Sequence, residues 1–312
     1  MLTSTLPSRH AAPGVLLFGL ECATTRIVLD HLIAGGIDVR LVCMPGPPAV
    51  PLIEAPARRR PASLPFAAPA MGTPTVTAAA HGHGIDVWRI GDLRSKRVER
   101  ALAGVDADAL VVACYDRLIP AAIYGRLPLG GLNLHPSLLP DKRGPDPLFW
   151  VFHAGDELAG VTIHRLTETF DAGDILAQQS IPLPDGISED ELDALLAAIG
   201  AELVIDCLAQ LSRGEPTTCP QNDEAATWAP HPQPCDWVID GSWTARRAFN
   251  FVRGVGGRGH PISLRCDGEQ RQVVEVLDWQ ADDQAVEAPP GAVAVPMSEG
   301  ILVARFAPRH AG

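Results

Sequence analysis

The residues best suited to chemistry in this chain are Asn133, His135 and Asp171. Asn133 and His135 lie in the run Gly131-Leu-Asn-Leu-His-Pro-Ser-Leu-Leu-Pro140. Asp171 opens the tetrapeptide Asp171-Ala-Gly-Asp174, 31 positions beyond Pro140. A carboxamide can steady a developing oxyanion, an imidazole can move a proton, and a carboxylate can hold the imidazole and share in that transfer. No Ser or Cys nucleophile accompanies them in a recognisable elbow, and no metal-ligand spacing surrounds His135. The set reads as direct transfer of a group to an incoming nucleophile, with no covalent enzyme intermediate.

Each member alone has a plainer explanation. Asn caps turns, and a single His is more often a satisfied core residue than a catalyst. The order N-x-H-P-S-L-L-P followed by D-A-G is what favours catalysis. Asp174 is the competing acid and is read as a helix or turn cap. His164 follows an apolar run and is read as structural, or at most as lining a cleft. His81 and His83 lie in a glycine-rich stretch without a third ligand, so a solvated loop is preferred to a metal site. Arg58, Arg59 and Arg60 form a charge run, read first as a solvated face and only second as a phosphate or carboxylate site.

The elements that must position these residues follow from apolar patterning. Gly14–Gly19 and Ala109–Ala113 are short apolar runs typical of buried parallel strands. Thr24 to Ala34 has helical spacing and stops at Gly35-Gly36. Val39–Cys43 is the next strand, so the chain begins β-α-β with a right-handed crossover. Pro45 to Pro74 is rich in Pro, Ala and Arg and reads as an irregular loop. Further expectations are strands at Ile85–Trp88, Gly131–Leu134 and Val161–Arg165, with helices at Leu93–Ala103, Pro147–His153 and Glu189–Leu211. The last of these is capped by Ser188. Asn133 and His135 thus fall at a strand end, where open α/β sheets present ligands. Beyond a Pro-rich polar stretch and a helix at Ser242–Arg253, short alternating runs at Ile262–Cys266, Gln272–Leu277, Ala292–Val295 and Ile301–Phe306 predict a small β-barrel-like domain.

A length of 312 residues favours two domains. We read a catalytic domain over 1–211 with a tail at 1–13, a linker over 212–240, and a small C-terminal domain over 241–312. The formal net charge of −12 argues against nucleic-acid binding as the main task, although a local basic patch is compatible with it. Seven scattered cysteines without a C-x-x-C pair fit a reduced, cytoplasmic protein without zinc. Val15–Leu20 is too short for a signal sequence or a membrane span. Gly19-Leu-Glu-Cys-Ala-Thr24 is not a dinucleotide fingerprint, and no Walker A run occurs.

Asn133-Leu-His-Pro-Ser-Leu-Leu-Pro140, Arg143-Gly144, Gly160-Val-Thr-Ile-His164, Asp171-Ala-Gly-Asp-Ile175 and Gln178 together resemble the folate-dependent formyltransferases. The acceptors of that family include methionyl-tRNA, glycinamide ribonucleotide and the amines of sugars or amino acids. The resemblance implies an α/β fold: a Rossmann-like formyltransferase domain with a mostly parallel sheet, followed by a small OB-like β-barrel, here shortened. It implies 10-formyltetrahydrofolate as donor and no metal. Asn133 and His135 would polarise the formyl carbonyl and steady the tetrahedral oxyanion. Asp171 would hold His135 and relay the proton lost by the amine. Backbone near Arg117, Leu118 and Ile119, and the segment Glu168, Thr169 and Phe170, would face the pterin. Gln178 is a weaker supporting candidate.

The acceptor is read from charge. Between Cys235 and Gly312 eight arginines face ten acids, whereas a tRNA-binding barrel should be basic. A small-molecule amine such as N-hydroxyornithine is therefore the favoured acceptor, with methionyl-tRNA as runner-up. A nucleotide-linked amino sugar, water (a hydrolase) and a non-catalytic folate-binding module follow. No membrane partner is expected, and a homodimer through the second domain is one expected assembly.

Overall fold

The computed structural model describes residues 12–55, 75–214, 217–266, 268–281 and 287–308. In chain order the elements begin with β1 (Gly14–Gly19), α1 (Ala23–Ala34), β2 (Asp38–Pro45), β3 (Leu52–Ala55), α2 (Val76–Gly82), β4 (Asp86–Ile90), α3 (Lys96–Ala103), β5 (Ala109–Ala113), α4 (Ala121–Tyr124) and β6 (Gly130–His135). Next come α5 (Pro147–Ala154), β7 (Leu158–Arg165), β8 (Ile175–Pro182), α6 (Glu189–Ser212), β9 (Val238–Asp240), α7 (Ala245–Val255), β10 (Ile262–Cys266), β11 (Glu269–Gln280), β12 (Val293–Pro296) and β13 (Ile301–Phe306).

Eight strands form one sheet in the order β3-β4-β2-β1-β5-β6-β7-β8. The pairs β1–β2, β1–β5, β2–β4 and β5–β6 are parallel, and β3 joins β4 antiparallel. Burial explains the strand sequences. Every residue of β1 and β5 is buried, as expected where both faces of a parallel sheet are covered. Leu16, Phe18, Leu41, Leu110 and Val112 share a core with Ile119 and Ile123. Each such side chain contributes about 1.5–3 kcal/mol on full burial.

Helix ends carry their own signals. Thr75 Oγ1 accepts from Ala78 N at the start of α2, and Thr244 Oγ1 from Arg247 N at the start of α7. Ser188 and Glu191 form a reciprocal box before α6, the hydroxyl accepting from Glu191 N and the carboxylate from Ser188 N. The expected Ser188 cap is thus present.

The chain forms two compact units, one comprising 1–135, 163–177 and 197–220, the other 136–162, 178–196 and 221–312. The second unit contains a five-stranded sheet ordered β12-β13-β11-β10-β9, antiparallel except for β9–β10. An aromatic group lies in this unit. Phe149 meets Trp150, His153, Trp237 and Phe251, while Arg247 stacks 3.7 Å over Trp243.

Two sequence expectations need correction, and one strand was not expected. The stretch around His81 is helical, with His81 in α2 and His83 at its cap, because Thr75 supplies an N-cap that the neighbouring glycines disguise. The Pro45–Pro74 loop contains β3, a short edge strand. The eighth strand β8 went unpredicted, since its exposed Gln178, Gln179 and Ser180 lack apolar alternation. Residues 56–74, including Arg58 to Arg60, and 1–11 lie outside the described residues. Among the described residues, no helix is long and apolar enough to cross a membrane.

Candidate active site

Asn133 and His135 occupy alternate positions of β6, so their side chains leave the same face of the strand. Thr162 and His164 repeat that arrangement on β7. The turn after β7 brings back Asp171, which adopts φ 53°. This left-handed conformation costs a non-glycine residue about 1–2 kcal/mol and is tolerated best by Asp and Asn. Arg165 N donates to Asp174 O at 2.9 Å and Leu166 N to Gly131 O at 2.9 Å, closing the turn against β6.

One carboxylate oxygen is the hub. Asp171 Oδ1 lies 3.3 Å from Asn133 Nδ2, 3.6 Å from His135 Nδ1 and 3.5 Å from His164 Nε2. His135, His164 and Asp171 are all buried, at 4%, 2% and 9% exposure. Polar groups this enclosed need close partners, and here they have one another. His164 Nδ1 meets Arg165 O at 2.9 Å, so this nitrogen carries the proton and donates. Nε2 is then an acceptor for the Asn133 amide, at 3.0 Å. Both amide hydrogens of Asn133 are directed at protein acceptors, one at His164 and one at Asp171. His135 presents Nδ1 to the acid.

The three residues singled out in the sequence are therefore brought together. His164, read as structural or at most as lining a cleft, has its ring against both Asn133 and Asp171. The signal was present in Val161-Thr-Ile-His164, where polar residues alternate with apolar ones along a buried strand. Asp174 meets Arg165 instead, its carbonyl accepting from Arg165 N and its carboxylate acting on the guanidinium through its charge. Among the described residues, no group of three metal-ligating side chains forms.

The expected donor-facing residues divide by exposure. The Arg117 guanidinium donates to the carbonyls of Gly46, Ile90 and Gly91, at 3.3, 3.1 and 2.9 Å, pinning the loop after β5 to the ends of β2 and β4. Ile119 is buried in the core. Leu118 and Phe170 stand exposed, at 36% and 45%, and Glu168 and Thr169 are exposed beside Phe170. Gln178 donates to Leu139 O and Thr162 Oγ1, at 2.9 and 2.8 Å, so it fixes the segment that follows His135.

The formyl transferase family pattern matches residues 52–208. Methionyl-tRNA formyltransferase of Synechococcus sp. (strain JA-3-3Ab) is 34% identical over 236 residues, 74% of this chain and 72% of that protein. The enzyme of the same name from Aromatoleum aromaticum is 34% identical over 73% of this chain and 71% of its own length. An N-formyltransferase from Helicobacter canadensis, solved with folinic acid and dTDP-3-aminofucose, shares the fold at a TM-score of 0.63, with 11% identity, 93% of this chain and 98% of that chain covered. HypX from Aquifex aeolicus, solved with tetrahydrofolic acid, aligns at a TM-score of 0.58 with 16% identity over 94% of this chain; the chain spans 43% of HypX. The matched pattern and the length of the shared sequence decide the matter: this chain belongs to the formyl transferase family, enzymes that move a one-carbon formyl group.

Proposed function

We propose that this enzyme moves the formyl group of 10-formyltetrahydrofolate to the amino group of methionyl-tRNA. The observation that carries formyl transfer is the convergence of Asn133, His135 and His164 on Asp171 Oδ1. The acceptor rests on the relatives, which are named for methionyl-tRNA and share about a third of their residues with this chain over most of its length. This places the runner-up of the charge argument first. Exposed Leu118 and Phe170 fit a flat apolar ring system, and they follow β5 and β7, the strands beside and after the one bearing His135. Arg117, Ile119, Glu168 and Thr169 complete that proposed seat.

When bound, the folate supplies the formyl carbon. An amide-like formyl group is a poor electrophile, so its oxygen needs donors as the amine attacks. His135 offers one from Nε2 in its doubly protonated form, with Nδ1 on Asp171. Asn133 offers another through its Nδ2, whose 3.3 Å contact with Asp171 Oδ1 is the longer of its two, and Asp171 accepts the proton lost by the amine. His164 holds the amide of Asn133 from the other side. No residue forms a bond to carbon.

Tetrahydrofolate release would be followed with purified protein, 10-formyltetrahydrofolate and, in turn, charged initiator tRNA, N-hydroxyornithine, an amino sugar and buffer alone. Product mass with methionyl-tRNA supports the reading. Formylation of a small amine alone replaces it, and the acidic C-terminal stretch, eight arginines against ten acids, is the observation that favours this second reading.

A further inference from the structure

Two cysteines lie at the same sheet edge as His135. Cys22 is the N-cap of α1, just past β1. Cys114 follows β5 directly, adopts φ 60°, and is exposed. The register pairs Gly19 with Ala113 and Ala113 with Leu134. Cys114 therefore takes the strand-end position beside His135. Thr25 ties Cys22 to the end of β5, since its hydroxyl donates to Ala113 O at 2.8 Å, one residue before Cys114, and sits 3.4 Å from Cys22 Sγ. The two thiol side chains are within hydrogen-bonding reach of each other.

We propose that Cys22 and Cys114 form a hydroperoxide-reactive dithiol that closes to a disulfide. The Cys22 thiolate attacks one peroxide oxygen, forming S–O and breaking O–O. The sulfur loses two electrons, and the expelled hydroxide takes a proton to leave as water. Cys114 then attacks the Cys22 sulfur, forming S–S and breaking S–O. Its thiol proton accompanies the departing hydroxide as a second water. Overall, two thiols and hydrogen peroxide give one disulfide and two waters.

The surroundings single out Cys22 as the attacking sulfur. The Cys114 hydrogen bond, aided by Thr25 and Thr24 and opposed by burial, holds its thiol far below the ordinary range, at about 5. The amides at the α1 N-terminus act in the same direction. Cys43 and Cys207 are the reverse case, since burial pushes both thiols up, Cys207 to about 11. A low pKa also weakens a thiolate as a nucleophile, with a Brønsted slope of about 0.4–0.5. The advantage of Cys22 is therefore greatest in acid, where an ordinary thiol is almost wholly protonated.

The test treats the native full-length chain with hydrogen peroxide at pH 5.5, then blocks remaining thiols in denaturant and maps peptides by mass. A linked Cys22–Cys114 peptide forming well ahead of any oxidation of Cys219 or Cys235 is expected. Cys114→Ser should stop at a sulfenic acid on Cys22 that a 1,3-dione traps. Absence of the linked peptide, or equal oxidation of Cys219 and Cys235, overturns the proposal. These readouts do not depend on the formyl acceptor, so the two proposals fail separately.

Discussion

The amide of Asn133 and the ring of His164 are joined at 3.0 Å across 31 residues of chain. The bond connects neighbouring strands β6 and β7 and settles which way the carboxamide faces, because His164 Nε2 accepts while Nδ1 donates to Arg165 O. His164→Ala should therefore leave folding largely intact and lower turnover about tenfold to a hundredfold by loosening the aim of Asn133. Single-turnover rates with saturating donor and acceptor measure this. Unchanged turnover would return His164 to a packing role.

The acid can be assigned by paired substitutions. Asp171→Asn keeps a residue that accepts φ 53° and removes only the charge. It should slow transfer by about 10²–10³-fold while leaving the melting temperature nearly constant. Asp174→Asn should cost far less, since Asp174 meets Arg165, through its backbone carbonyl and the field of its carboxylate, and not the Asn133 amide. His135→Ala should abolish transfer with the fold retained. If Asp174→Asn proves the more damaging of the two, the wrong acid has been named.

How far the site could be read from sequence depended on whether a residue's role was written in its neighbours. Asn133 and His135 sit in a dense run of Pro and Leu that leaves few alternatives, and the all-apolar Ala109–Ala113 matches β5 residue for residue. His164 was less legible because a buried histidine on a strand looks the same whether it packs or positions. Only its cross-strand partner distinguishes the two. The Cys22 and Cys114 pair was invisible, since 92 positions separate them and proximity arises from the β1–β5 register. The strand β8 and helix α2 were hidden by glutamines and glycines that carry no clear period.

Gly173 should behave as a site residue although it has no side chain. A Cβ there would fall 1.9 Å from Arg165 O, against backbone that cannot swing aside. Gly173→Ala must push the Asp171 turn away from β7. We expect a stability loss of about 1–3 kcal/mol and a turnover loss approaching that of Asp171→Asn. Denaturant titration and steady-state rates on the same sample separate the two effects. Full activity in a merely destabilised variant would show that Asp171 tolerates displacement.

The acid sensitivity of the fold should trace in part to His153. Its ring packs among Phe149, Trp150, Trp243 and Phe251, with the Arg247 guanidinium nearby. Burial first, and the Arg247 charge second, lower its pKa below the ordinary histidine value of 6.5, against a weaker opposing pull from Asp236. A base with a lowered folded pKa binds its proton more readily when unfolded. Its contribution is therefore complete above about pH 6.5 and is lost as pH falls toward the folded value. His153→Phe retains a ring and leaves the backbone carbonyl that accepts from Arg247 Nε at 2.9 Å. The melting temperature of the parent protein should fall between pH 7 and pH 5, and the fall should be shallower in the Phe variant. Parallel curves would assign the proton uptake to another group.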